Sequence, residues 1–294
     1  MRSARPLLSR LALAVLAAVI ACSGCGKSSS AASVPVSYYL ALGDSLSQGV
    51  QPNAAGTAVE TAEGYPDQIY GTLSKTHPGL QLVHLGCPGE TTVTMMNGGI
   101  CRYQAGSQLA AALAFLRAHR GHVLLITIDI GANDPEDCIQ SNLLTAAACL
   151  GTGLPAAVHN LATILAALRT AAGPDAPVTG MNYFLPALAE WRHGLTGEAE
   201  AWAIEEATAT YDSQLNHVYT QAGDQVANLF SAFDTGDFGT QVTVPGYGTL
   251  PRNVALICEW TWECTAPPRG PNQHPNETGY QVIARTVLQA SRLR

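Results

Sequence analysis

The chain has 294 residues, 47% of them hydrophobic and 13% charged, with a formal net charge of -7. So apolar a composition excludes disorder of the whole chain and suits one large globular domain. With no basic block after the first ten residues there is no electrostatic footprint for nucleic acid, and an uncharged substrate is the better expectation.

Residues 1–21 read as an export signal, because Arg2, Arg5 and Arg10 precede an apolar run over 11–20 that is too short to cross a bilayer comfortably. The run ends Val19-Ile20-Ala21-Cys22, which resembles a bacterial lipobox. That resemblance implies cleavage before Cys22, lipidation of its thiol and attachment to a membrane. An ordinary signal peptide, or a cut before Cys25, is the alternative. Either way the protein is expected to leave the cytoplasm. Residues 22–36 then form a flexible tether of small residues, and 37–294 a single domain, expected to act as a monomer.

Beyond the tether, short apolar runs alternate with helical patterns. Strands are expected at 38–42, 81–85, 122–130, 178–183 and 226–230, and helices at 65–76, 104–118, 154–172, 198–222 and 276–293. This alternation predicts an α/β fold, a three-layer α/β/α sandwich around about five parallel strands. The stretch 232–267 reads as irregular, long for a loop, and a candidate wall of a cleft. Within it, Tyr247, Trp260 and Trp262 fit either a pocket lining or a private core of the loop.

In an open parallel sheet, reactive groups gather at the carboxyl ends of the strands. Four runs fall there. Gly43-Asp44-Ser45-Leu46 places a serine directly after the first strand, and Gly86-Cys87-Pro88-Gly89-Glu90 follows the second with a glycine whose N–H can approach a ligand. Gly131-Ala132-Asn133-Asp134 follows the third with a side-chain amide, and Asn272-Gln273-His274-Pro275 puts a histidine just before the last helix. Each alone is an ordinary turn or cap. Together they offer a nucleophile, a base and donors for an oxyanion, which are the parts an acyl transfer needs. Asp44 and Asp134, beside these positions, are expected to hold the loops rather than react.

With its four blocks in order across residues 39–280, the sequence resembles the SGNH/GDSL hydrolase family. The resemblance implies a flavodoxin-like fold and an esterase or lipase that needs no metal or cofactor and takes a small-molecule or lipid ester. It makes Ser45 the nucleophile and His274 the base, with an oxyanion hole formed by the Ser45 and Gly89 N–H groups and the Asn133 side chain. Deacetylation of a polysaccharide would use the same four blocks, and a non-catalytic acyl-binding lipoprotein is a rival of another class.

One departure stands out. The family usually carries an aspartate three residues before the histidine, and here that position is Pro271, followed by Asn272 and Gln273. In a rigid triad, exchanging the aspartate for its amide costs about 10⁴ in turnover, largely through the wrong tautomer of the ring. The expectation is therefore a Ser45–His274 dyad whose ring is oriented by a backbone carbonyl, that of Pro271. Carboxylates of Glu263, Asp234 or Glu277 are the rival orienters.

Of eight cysteines, six lie beyond Cys25: Cys87, Cys101, Cys138, Cys149, Cys258 and Cys264. Six cysteines allow 15 connectivities. Sequential pairing closes only short loops, which favours Cys87–Cys101, Cys138–Cys149 and Cys258–Cys264 in an oxidising compartment. The set also looks like that of secreted actinobacterial-type lipases of the family. Beyond Cys22 to Cys25 no spacing supports a metal site.

Overall fold

The computed structural model describes residues 35–135 and 143–293, with the side chains of 143–153 left aside. The expected signal peptide, Cys22 and most of the tether lie outside the described residues. Cys138 does too, as does the side chain of Cys149, so their pairing is not addressed.

Five strands form one parallel sheet: β1 Ser37–Gly43, β2 Leu80–His84, β3 Val123–Asp129, β4 Val178–Met181 and β5 Gln225–Ala227. β1 and β3 are covered on both faces, which is why they read as near-continuous apolar runs rather than as alternating ones. The strand order is β2-β1-β3-β4-β5, the flavodoxin-type order. The chain thus leaves β1 toward one edge and returns beside it as β3. The crevice between the carboxyl ends of β1 and β3 is the topological switch point.

Helices α1 Tyr65–Leu73, α2 Thr92–Asn97, α3 Gln108–Ala118, α4 Leu143–Ala172, α5 Leu195–Gln221, α6 Arg252–Trp260 and α7 Glu277–Ser291 complete the fold. The first turns are set by side-chain caps. The Ser107 hydroxyl accepts the Ala110 N–H at 3.1 Å, and Asn276 Oδ1 accepts the Gly279 N–H at 3.1 Å. The core runs through the sheet, from Tyr39, Leu40 and Leu42 on β1 and Ile126 and Ile128 on β3 to Tyr280 and Ile283 on α7, all fully buried.

The expected architecture holds, with three corrections. Helix α4 begins at Leu143 rather than 154 and carries Pro155 inside it; the Leu- and Ala-rich residues before the proline are strong helix formers. The fifth strand stops at Ala227, because Asn228 Oδ1 accepts the Ser231 N–H at 2.9 Å and caps a one-turn helix, Leu229–Ala232. The stretch 232–267 is ordered, not irregular. It holds a hairpin of Gln241–Val244 with Gly248–Pro251, followed by α6, whose apolar face is buried.

Candidate active site

The four strand-end runs converge at the switch point. Beyond β1 the chain turns sharply at Gly43, which has φ +130° and lies so close to Asp129 that a Cβ would sit 2.2 Å from that residue's carbonyl oxygen. Only glycine fits there. Asp44 then folds the turn through its own side chain, accepting the Leu46 N–H at 3.0 Å, while its carbonyl accepts the Ser47 hydroxyl at 2.8 Å. Ser45, at the head of this turn, is half-buried.

Ser45 Oγ is 2.9 Å from His274 Nε2. The sequence separation is 229 residues, and the pair meets because the histidine loop is wired to its neighbour segment. Trp262 N–H donates to the His274 carbonyl at 3.1 Å, Asn272 N–H donates to the Trp262 carbonyl at 3.3 Å, and Thr261 bridges Pro275. The Cys258–Cys264 disulfide closes the segment that carries Thr261 and Trp262.

The partner of His274 Nδ1 differs from the expected one. It is Asn272 Oδ1, at 2.9 Å, rather than the Pro271 carbonyl. The same oxygen accepts the His274 backbone N–H at 3.1 Å. A backbone N–H can only donate, so the atom facing it is the oxygen of the amide and not its nitrogen. Nδ1 therefore carries the proton it donates, and Nε2 presents its lone pair to the serine hydroxyl. The tautomer that an amide usually spoils in a triad is here enforced by the main chain. Asp234 instead pairs with Arg252 at 2.5 Å. Sequence reasoning missed Asn272, although an asparagine two residues before a histidine is the pattern of an Asx turn.

With no carboxylate on the ring among the described residues, burial dominates the titration of His274 and pushes its pKa down to about 4. The imidazole is neutral at pH 7, with Nε2 able to accept a proton.

The second run forms a turn in which the Glu90 N–H donates to the Cys87 carbonyl at 3.0 Å, with Pro88 and then Gly89 at φ +80° in the two central positions. That is a type II turn, which requires positive φ at its third residue and leaves the Gly89 N–H outside its own hydrogen bond. Space around Gly89 is open. The turn is fastened to β1 by the Cys87 N–H on the Gly43 carbonyl at 3.0 Å, and to the chain beyond α2 by the Cys87–Cys101 disulfide. Gln108 adds a clamp, its amide meeting both Gly43 N–H at 2.7 Å and Gly43 carbonyl at 2.8 Å.

Asn133 follows β3, and its Nδ2 donates to the Glu90 carbonyl at 2.9 Å, with Asp44 Oδ2 at a longer 3.4 Å. Both neighbours are acceptors, which fixes the amide with its NH₂ toward the Ser45 and Gly89 loops. Asp134 holds the loops, as expected: its carboxylate takes the Thr92 N–H at 2.9 Å and the Thr92 hydroxyl at 2.5 Å. Trp260 packs edge-on against the buried Phe233, and the Trp262 indole donates to Gln51 Oε1 at 3.2 Å. Tyr247 lines a separate cleft of about 570 Å³ with Glu190, Arg192 and Glu263, which reaches the histidine loop at Pro271.

The model of the GDSL-like Lipase/Acylhydrolase family matches residues 41–282, a span that contains all four runs. The chain belongs to that family. Among solved structures, this GDSL-family chain is similar to a phospholipase A1 from Streptomyces albidoflavus NA297, at 20% identity over 87% of this chain and 99% of the other, with a TM-score of 0.57. It is also similar to an extracellular lipase from Streptomyces rimosus, at 18% identity over 87% of this chain and 100% of the other, with a TM-score of 0.52. Such distant likenesses carry the fold of the GDSL family and nothing finer. No curated protein matches the sequence.

Proposed function

We propose that the protein is an exported carboxylic-ester hydrolase that works through an acyl-enzyme on Ser45. The observation that carries this reading is the chain of hydrogen bonds from Ser45 Oγ through His274 to Asn272 Oδ1, at 2.9 Å in each step. In the reaction Nε2 takes the serine proton as Oγ attacks the ester carbonyl, and the resulting imidazolium hands that proton to the departing alcohol. Water then enters and the same histidine activates it to release the acid. The charge that develops on the carbonyl oxygen is met by the Ser45 and Gly89 N–H groups and by Asn133 Nδ2. The 3.4 Å contact of Asn133 with Asp44 is the weak one, and it is the one an oxyanion would replace.

Hydrolysis of a series of p-nitrophenyl esters of rising acyl length, by wild type and by Ser45→Ala, tests the assignment. The variant is expected to lose at least about 10³-fold in kcat, as removal of an activated nucleophile does. Equal rates for the two proteins would remove Ser45 from the mechanism, and a wild type without activity would favour an acyl-binding lipoprotein. A maximum at acetyl would favour polysaccharide deacetylation over lipolysis.

Export and anchoring belong to the same reading, supported by the leader at 1–21 and by Cys22 after Val19-Ile20-Ala21. Cys22→Ser is expected to move the protein from the membrane fraction to the soluble one and to end incorporation of labelled palmitate. Unchanged partitioning would point to an ordinary secreted enzyme.

A further inference from the structure

Two acidic side chains that the hydrolysis does not consume lie beneath the Ser45 turn. Asp129 ends β3 in register with Gly43 and has 0% of its surface exposed; Asp44 has 1%. Asp129 Oδ2 accepts the backbone N–H groups of Asp44 and Ser47, each at 3.2 Å, so one carboxyl holds the turn on both sides of the nucleophile. Its other oxygen accepts the Tyr65 hydroxyl at 2.6 Å. Asp44 in turn reaches Leu46 N–H and the Asn133 amide.

Burial and the charge of Asp44 both push Asp129 above the usual carboxylate range. Asp129 forms no ion pair among the described residues. The hydroxyls that feel the pair's charge are Tyr39 on β1, Tyr65 on α1, Tyr183 after β4, Tyr219 on α5 and Tyr280 on α7, all neutral groups held higher still by burial.

We propose that Asp129 is a positioning residue of the hydrolysis, setting the Ser45 turn by accepting the Asp44 and Ser47 amides on its buried carboxyl. The arrangement rests on the esterase reading and deepens it. Held on both sides, the turn keeps the Ser45 hydroxyl facing His274 Nε2.

Kinetics of Asp129→Leu and Asp129→Asn test this. Asp129→Leu removes both carboxyl oxygens and leaves this residue holding the turn only through its backbone carbonyl, which accepts the Asp44 N–H at 3.1 Å; kcat is expected to fall about 100-fold with KM within about twofold, the signature of a misplaced nucleophile. Asp129→Asn is neutral and keeps an acceptor, and should recover kcat to within about fivefold of wild type, the worth of one ordinary hydrogen bond. A folded Asp129→Leu variant with wild-type kcat, or an Asn variant as damaged as the Leu variant, would overturn the positioning role. Should Asp129→Leu not fold, the smaller Asp129→Ala takes its place and is held to the same outcome. If wild type hydrolyses no ester, the functional reading fails; an active wild type beside a Leu variant of equal kcat fails this inference alone.

Discussion

At the residue scale the unusual group is Asn272, a neutral amide where a carboxylate commonly stands. Its oxygen fixes the ring as a carboxylate would but lends no charge to the imidazolium, so acid inactivation is set by burial. With His274 as the base proposed above, activity requires the neutral ring, and its pKa is depressed to about 4, so kcat/KM is expected to hold from neutral pH well below 6.5 and to fall only as pH approaches about 4. Asn272→Asp restores a charge beside Nδ1 and is expected to move that acid limb upward, which a pH profile of kcat/KM reads directly. Asn272→Ala removes the hydrogen-bond partner of Nδ1 among the described residues and is expected to cost about 10²-fold in kcat. An Ala variant with unchanged kcat would mean that packing alone orients the imidazole. Ser45, Gly89, Asn133 and His274 were legible in the sequence because each follows a strand or precedes a helix within a recognisable run. Asn272 was not, because a search for a carboxylate or a backbone carbonyl passes over a side chain that looks like turn chemistry.

At the scale of elements, both disulfides among the described residues brace a loop of the site. Cys87–Cys101 holds the turn that presents Gly89, and Cys258–Cys264 holds the segment on which the His274 loop is hung. By chain entropy, losing either should cost about 2 to 3 kcal/mol of stability. The double variant Cys258→Ala/Cys264→Ala is expected to melt lower, and also to lose kcat at temperatures where the fold is intact, since Trp262 guides the histidine loop. Equal kcat for wild type and variant below the melting transition would separate the disulfide from the site. The pairings were legible from short spacing. The hairpin and α6 inside 232–267 were not, because Gly, Pro and aromatic residues mark turns and conceal the short elements between them. The fifth strand was drawn too long for a related reason: Leu229 and Phe230 are apolar enough for a strand, and the Asn228 cap together with Asn182 Oδ1, which accepts the Leu229 N–H at 2.6 Å, turns them into a helix.

At the scale of the whole molecule, buried titrating groups pull stability in opposite directions with pH. His274 is held neutral when folded, so protonation favours the unfolded chain, and its contribution is lost as pH falls from about 6.5 toward 4. Asp212 on α5 is the reverse case. Burial raises its pKa to about 7, while its Oδ1 accepts the Tyr183 N–H at 3.2 Å. A raised carboxyl stabilises fully below its unfolded value near 4, and that contribution is lost as pH rises through about 7. Asp212→Asn is therefore expected to raise Tm at pH 8 more than at pH 5; a shift of the same size at both would show that Asp212 is ionised throughout. The parallel sheet was readable from the sequence, since strands buried on both faces leave long apolar runs, and with it came the end of the sheet where the site lies. What no local pattern displays is how far the site reaches along the chain. Ser45 follows the first strand, and His274 arrives 229 residues later, just before the last helix. A chain that emerges from the ribosome amino end first thus exposes Ser45 well before His274. On the proposed dyad, a form that stops short of residue 274 lacks the base and is expected to be inert, a serine with nothing to activate it.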